Sequence, residues 1–106
     1  MIEVVHKGFD NPNKITIEED GAAIDFSAVT RMVLSFEGST VAADTSIDSA
    51  LIDWSQGNGV VEFSINDLAL CGHHAATLIA FDASHVDGQV LVHMDDRALV
   101  FSFMDA

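Results

Sequence analysis

The sequence predicts an all-β fold, an immunoglobulin-like antiparallel β-sandwich of about seven to nine short strands. Three observations predict it. Apolar and polar residues alternate at period two in several segments, the pattern of a strand with one dry face. Gly, Asp and Asn turn signals recur about every 8 to 12 residues. Helical segments of about 10 to 15 residues do not alternate with these strands, which argues against a parallel α/β sheet.

The clearest strand is Val60-Val61-Glu62-Phe63-Ser64-Ile65, with Val61, Phe63 and Ile65 on one face. Before it, residues 2–5 make a short apolar start, read as an edge strand, and Asp10-Asn11-Pro12-Asn13 makes a turn or arm. Lys14-Ile15-Thr16-Ile17-Glu18 alternates with Ile15 and Ile17 inward. Asp20-Gly21 signals a two-residue hairpin, whose central positions need positive φ, with residues 22–26 as the return strand and 25–28 leading to the next sheet. Residues 29–36 make the best central strand, Met32, Leu34 and Phe36 sharing a face. Glu37-Gly38-Ser39 turns the chain into a short strand over 40–43.

Ile47, Ala50, Leu51 and Trp54 have helical spacing, but the Gln56-Gly57-Asn58-Gly59 turn favours a strand ending at Trp54 and a hairpin into Val60. Residues 66–70 read as one helical turn capped by Asn66. Residues 77–83 alternate, Asp87-Gly88 turns, and Val90, Val92 and Met94 alternate against Leu91 and His93 until Asp95-Asp96. Leu99, Phe101 and Phe103 share a face of the last strand. The chain reads as a single domain, with residues 1–13 an N-terminal strand or arm and 14–106 the sandwich.

Composition excludes several functions. Seventeen acidic residues against four basic ones leave a net charge of -13. Phosphate contacts need cations, so nucleic acid and anionic membrane surfaces are poor partners. Mean hydropathy is +0.31, which hints at apolar area covered by a partner. The single cysteine, Cys71, forms no internal disulfide, so folding does not depend on oxidation. The first residues lack a signal peptide's pattern, and no segment reaches the ~20 apolar residues that span a bilayer.

Few residues suggest chemistry. Cys71-Gly72-His73-His74, with His85 and His93, holds zinc-type ligands without a zinc-finger spacing. It reads as a polar turn beside a small buried thiol. A Cys71 nucleophile would need a base and a lowered pKa, and no motif supplies them. Asp82, Asp87, Asp95 and Asp96 could gather at one end of a sandwich, but no calcium loop is spelled out, and they read as turn carboxylates. Trp54 reads as a core anchor. The phenylalanines at 36, 63, 81, 101 and 103 read as core.

The order Lys14-Ile15-Thr16-Ile17-Glu18-Glu19-Asp20-Gly21, then Ile24-Asp25-Phe26-Ser27-Ala28-Val29-Thr30-Arg31-Met32-Val33-Leu34, resembles the opening of small immunoglobulin-like structural proteins of tailed phages and prophages. Ile52-Asp53-Trp54, Gly59-Val60-Val61-Glu62-Phe63, Thr77-Leu78-Ile79-Ala80-Phe81-Asp82 and Gly88-Gln89-Val90-Leu91-Val92 follow in the same order. N-terminal domains of baseplate and receptor-binding-apparatus subunits are similar. The resemblance implies a non-enzymatic virion component without cofactor, made in the host cytoplasm and held by other virion proteins and copies of itself. It transfers no active-site residue.

The expected contact elements are the edge strands, through Ile2, Val4, Leu99, Phe101 and Phe103. A metal- or carbohydrate-dependent recognition module is the alternative, although the absence of tyrosine makes aromatic stacking on sugars less attractive.

Overall fold

The structure, a computed structural model, describes residues 2–8, 13–19, 21–55, 57–65, 68–92 and 99–104, with backbone alone at Ile2, Glu19 and Val92. Among them are eleven strands and no helix. In chain order these are β1 (Ile2–His6), β2 (Asn13–Thr16), β3 (Glu18–Glu19), β4 (Ala22–Ala23), β5 (Arg31–Phe36), β6 (Ala42–Asp44), β7 (Ile52–Trp54), β8 (Val60–Phe63), β9 (Gly72–Phe81), β10 (Gln89–Val92) and β11 (Val100–Met104). They form a six-stranded sheet, a three-stranded sheet in the order β2-β8-β7 and the two-stranded hairpin β3-β4. The fold is therefore all-β and sandwich-like.

β9 is the spine of the large sheet, whose order is β1-β11-β9-β5-β6 with β10 also on β9. β5 pairs with residues 76–81 of β9. β11 pairs with residues 72–75 and β10 with residues 78–80. Because β10 overlaps β5 along β9, it must occupy the other edge, in line with β11. One strand of 10 residues thus carries three partners.

The layers meet through alternate side chains. Met32, Leu34 and Phe36 of β5, Ala76 and Leu78 of β9 and Phe101 and Phe103 of β11 face Ile15, Ile52, Val61 and Phe63 of the small sheet, all buried in one core. Phe63 and Phe101 meet edge to face at 5.3 Å between centroids, and Phe36 meets Phe101 and Phe103 at 5.7 and 5.5 Å. Such crossed arrangements suit the ring quadrupoles and add to the burial of large apolar area.

Several expectations are corrected. β11 is not an edge strand: it lies between β1 and β9, since the distant β1 segment pairs along its second side, and Leu99, Phe101 and Phe103 are buried in the core. β1, by contrast, is at the end of the sheet and belongs to it. Its pairing with β11 is parallel, so the sandwich is not wholly antiparallel. A parallel neighbour needs a long crossover, and most of the chain supplies it.

β9 starts at Gly72 rather than Thr77. The return strand at Ala22 stops at Ala23, since Asp25 accepts the Ser27 N–H at 2.8 Å in a local turn that sends Phe26 into the core. Ile47 is 84% exposed, so no helix buries the 47–54 stripe. Ile52–Trp54 is a strand paired with β8, as the turn signal requires. Leu68 to Leu70 is a bend, not a helical turn. Asn66, Asp67 and residues 93–96 lie outside the described residues. Among the described residues no helix is long and apolar enough to cross a membrane.

Gly59 joins the small sheet to the β3-β4 hairpin. Its carbonyl accepts the Ile17 N–H at 2.8 Å, and the Ile17 carbonyl accepts the Ile24 N–H at 3.1 Å. Its φ is +71°, and an added Cβ would collide with the Ile17 carbonyl. Gly59→Ala is expected to destabilise by about 2 to 4 kcal/mol. Gly57→Ala, where a Cβ meets open space, should stay within about 0.5 kcal/mol of the parent in urea denaturation.

Candidate functional site

The register of the large sheet fixes what its outer face presents. Val90, Ile79 and Val33 stand side by side across β10, β9 and β5. Thr77 and Ser35 form the next outward pair, and Phe81 and Arg31 the one beyond. Towards β1 the face continues through Ala75 and Val100, His73 and Ser102, then Val4 and Met104. Val4, Val90 and Met104 are 41%, 50% and 48% exposed. Ala75, Thr77 and Ser102 also point outward by register but are buried.

One ion pair on this face, Arg31 with Asp44, is neutral as a unit. Arg31 donates to Asp44 through Nε at 2.9 Å and a terminal nitrogen at 2.6 Å. The guanidinium also lies 4.5 Å from the Phe81 ring centroid, a cation–π contact. The hydrogen-bonded Arg31 holds the Asp44 carboxyl far below the usual carboxylate range, and the Ser46 N–H and hydroxyl add two donors. The described carboxylates that remain near this face, Glu37, Asp82 and Asp87, sit in turns at its ends. The result is a broad, nearly uncharged surface rimmed by acid.

The opposite face of the molecule differs. Lys14, Glu62 and Asp53 form a charged row across β2, β8 and β7, with Lys14 and Glu62 paired at 3.6 Å. They line, with Trp54, Ser55 and Val60, a shallow hollow of about 160 Å³. Trp54 is half-buried and packs on the core, while one side of it faces this hollow.

The Cys71 to His74 segment is not a polar turn. Gly72 to His74 begin β9, and extended geometry sends the two imidazoles to opposite faces. His73 is exposed. His74 is half-buried, edge-on to Phe36 and Phe103. Its Nδ1 lies 3.0 Å from the Glu37 carbonyl and its Nε2 lies 2.9 Å from the Cys71 carbonyl. Both oxygens only accept, so a neutral ring donates to one and a protonated ring to both. This imidazole ties the β5-β6 turn to the start of β9. It reaches the Cys71 carbonyl rather than the thiol, which is exposed and not buried as expected. Asp82 binds His85 at 2.9 Å within one turn, away from Cys71. Among the described residues no group of three or more His, Cys, Asp or Glu side chains is placed to hold a metal ion.

Of the expected contact residues, Val4 is exposed on the outer face, while Leu99, Phe101 and Phe103 are in the core at 3% exposure or less. The side chain of Ile2 lies outside the described residues. The row Val33, Ile79 and Val90 was not singled out by sequence reasoning. Its signal was present: the outward positions of residues 31–36 and 75–81 carry one charge, Arg31, where a solvated sheet face normally carries several.

No protein-family model, curated protein or solved structure matches this chain.

Two measurements check the electrostatics and the clip. Because the Asp44 carboxyl is depressed in the fold, its contribution is complete above the unfolded value near 4 and is lost as pH falls towards the folded one. Asp44→Asn should lower the urea midpoint by about 0.5 M at pH 7, and the deficit should shrink as pH falls below about 4. His74→Ala should cost about 1 to 2 kcal/mol and speed amide exchange at Glu37, whereas Cys71→Ala should leave the urea midpoint in place.

Proposed function

We propose that this protein is a non-enzymatic docking module that holds onto a larger protein assembly through the outer face of its large sheet. The observation that carries the reading is the uncharged row Val90, Ile79 and Val33, extended by Val100, Val4 and Met104, on a chain of net charge -13. Contiguous exposed apolar surface rimmed by polar residues is the usual mark of a protein contact. Acid at both ends of the face favours a partner whose own flat apolar surface is ringed by lysine and arginine.

The assembly we propose is a tailed-phage virion, on the resemblance of the sequence segments, in their order along the chain, to small structural proteins of such particles. The module works there by burying area rather than by chemistry. A stable contact of this kind buries roughly 1,200 to 2,000 Å² in total.

Mass spectrometry of purified particles from the source should find the chain as a stoichiometric component, and its absence from them defeats the virion reading. The paired variant Val4→Glu and Met104→Glu should fold with a urea midpoint close to the parent's, since both side chains are exposed, yet lose co-sedimentation with the particle.

A further inference from the structure

We infer that the free edge of β10 and the groove beside it accept a short extended strand of a partner protein that carries lysine or arginine. The inference rests on the docking reading and gives the partner's chemistry at one margin of that face.

Hydrogen-bond parity along β9 shows what β10 leaves open. The Ala75 carbonyl accepts the Glu37 N–H and the Phe81 carbonyl accepts the Thr30 N–H, so the odd-numbered residues of β9 turn towards β5. The Ala76 N–H donates to the Leu99 carbonyl, so the even-numbered residues turn towards β11 and β10. Gln89, opposite Ala80, therefore bonds to β9. Val90, opposite Ile79, aims its N–H and C=O away from β9, at the outer edge. Among the described residues nothing pairs with that edge.

The edges of β1, β7 and β6 are less available. The Val4 carbonyl of β1 accepts the Asn13 side-chain amide at 3.2 Å. On β7, the Asp53 carboxylate takes the Trp54 N–H at 3.0 Å. β6 has only 3 residues and ends in the Arg31-Asp44 pair. β10 has none of the usual guards, lysine, proline or an inward charge, in its sequence Gln-Val-Leu-Val. Its one protection is the bulge between Val90 and Val92, which ends the regular edge and limits the added strand to a few residues.

Beside this edge runs a groove of about 180 Å³, lined by Ile17, Glu18, Ile24, Gln89, Val90 and Leu91. Ile17, Ile24 and Leu91 offer a seat for one apolar side chain of the incoming strand. Among the described residues Glu18 is the only charged one in the lining, and exposed Asp87 precedes β10. Alternation places the next side chains of an added strand where a cation meets these carboxylates. A second copy of this chain fits poorly, because two bodies of net charge -13 repel.

The test titrates the whole, isotope-labelled protein with a capped five-residue peptide, Lys-Val-Lys-Val-Lys, followed by backbone amide NMR. The expected result is amide shifts at Gln89, Val90 and Leu91 and slower exchange at Val90 by about tenfold. The glutamate analogue Glu-Val-Glu-Val-Glu should bind at least about tenfold more weakly. Val90→Pro removes the outward N–H without touching the β9 ladder and should abolish binding. Glu18→Lys, on an exposed side chain, should weaken it with the fold intact.

The inference is overturned by shifts that spread over the acidic surface and survive Val90→Pro, by no shift at millimolar peptide, or by a Val90 amide already protected in the free protein. The docking reading fails separately, in the particle sedimentation of the Val4 and Met104 variant.

Discussion

The double-edged pairing of β9 is the constraint on which the molecule depends. Its odd residues hold β5, and its even residues hold β11 and then β10. The same alternation divides its side chains, so the ladder that orders the strands also decides what is buried. Ala76, Leu78 and Ala80 go inward, while Thr77, Ile79 and Phe81 build the outer face. Small inward alanines leave room for the Phe36, Phe63, Phe101 and Phe103 rings that join the two layers. Core and outer face are therefore two sides of one strand.

The two outer surfaces of the sandwich have opposite character. The small sheet shows water a row of charge, Lys14, Glu62 and Asp53. The large sheet shows it valine and methionine, and Arg31 there is neutralised by Asp44 and stacked on Phe81. Where the function is contact rather than catalysis, this asymmetry is the relevant site. It also assigns the conspicuous residues to structure: His74 clips a turn, Trp54 closes one margin of the core, and Asp82 organises its own loop.

Much of the fold was legible in the sequence because period-two alternation and turn chemistry are local. Residues 31–36 alternate buried and half-buried as the pattern requires, and the Gly59 and Gly88 turns connect paired strands. Strand order was not legible. Nothing in Leu99, Phe101 and Phe103 says whether their strand is an edge or an interior one, because that depends on which distant segment lies alongside. The first half of β9 was hidden by glycine and two histidines, which read as a turn until β11 supplies their ladder. The outer face was missed because uncharged outward positions draw notice only when neighbouring strands are aligned.

The parallel union of β1 with β11 has a consequence for synthesis. β1, made well before β11, finds its permanent neighbour only when the segment around Val100 has left the ribosome. Until then the aromatic cluster lacks two of its rings, and β9 lacks cover along half of one side. Contacts between such distant residues form slowly, and the waiting intermediate exposes greasy surface. A nascent chain stalled shortly before Val100 is thus a natural client for a holding chaperone, and β11 acts as the bolt that shuts the sheet.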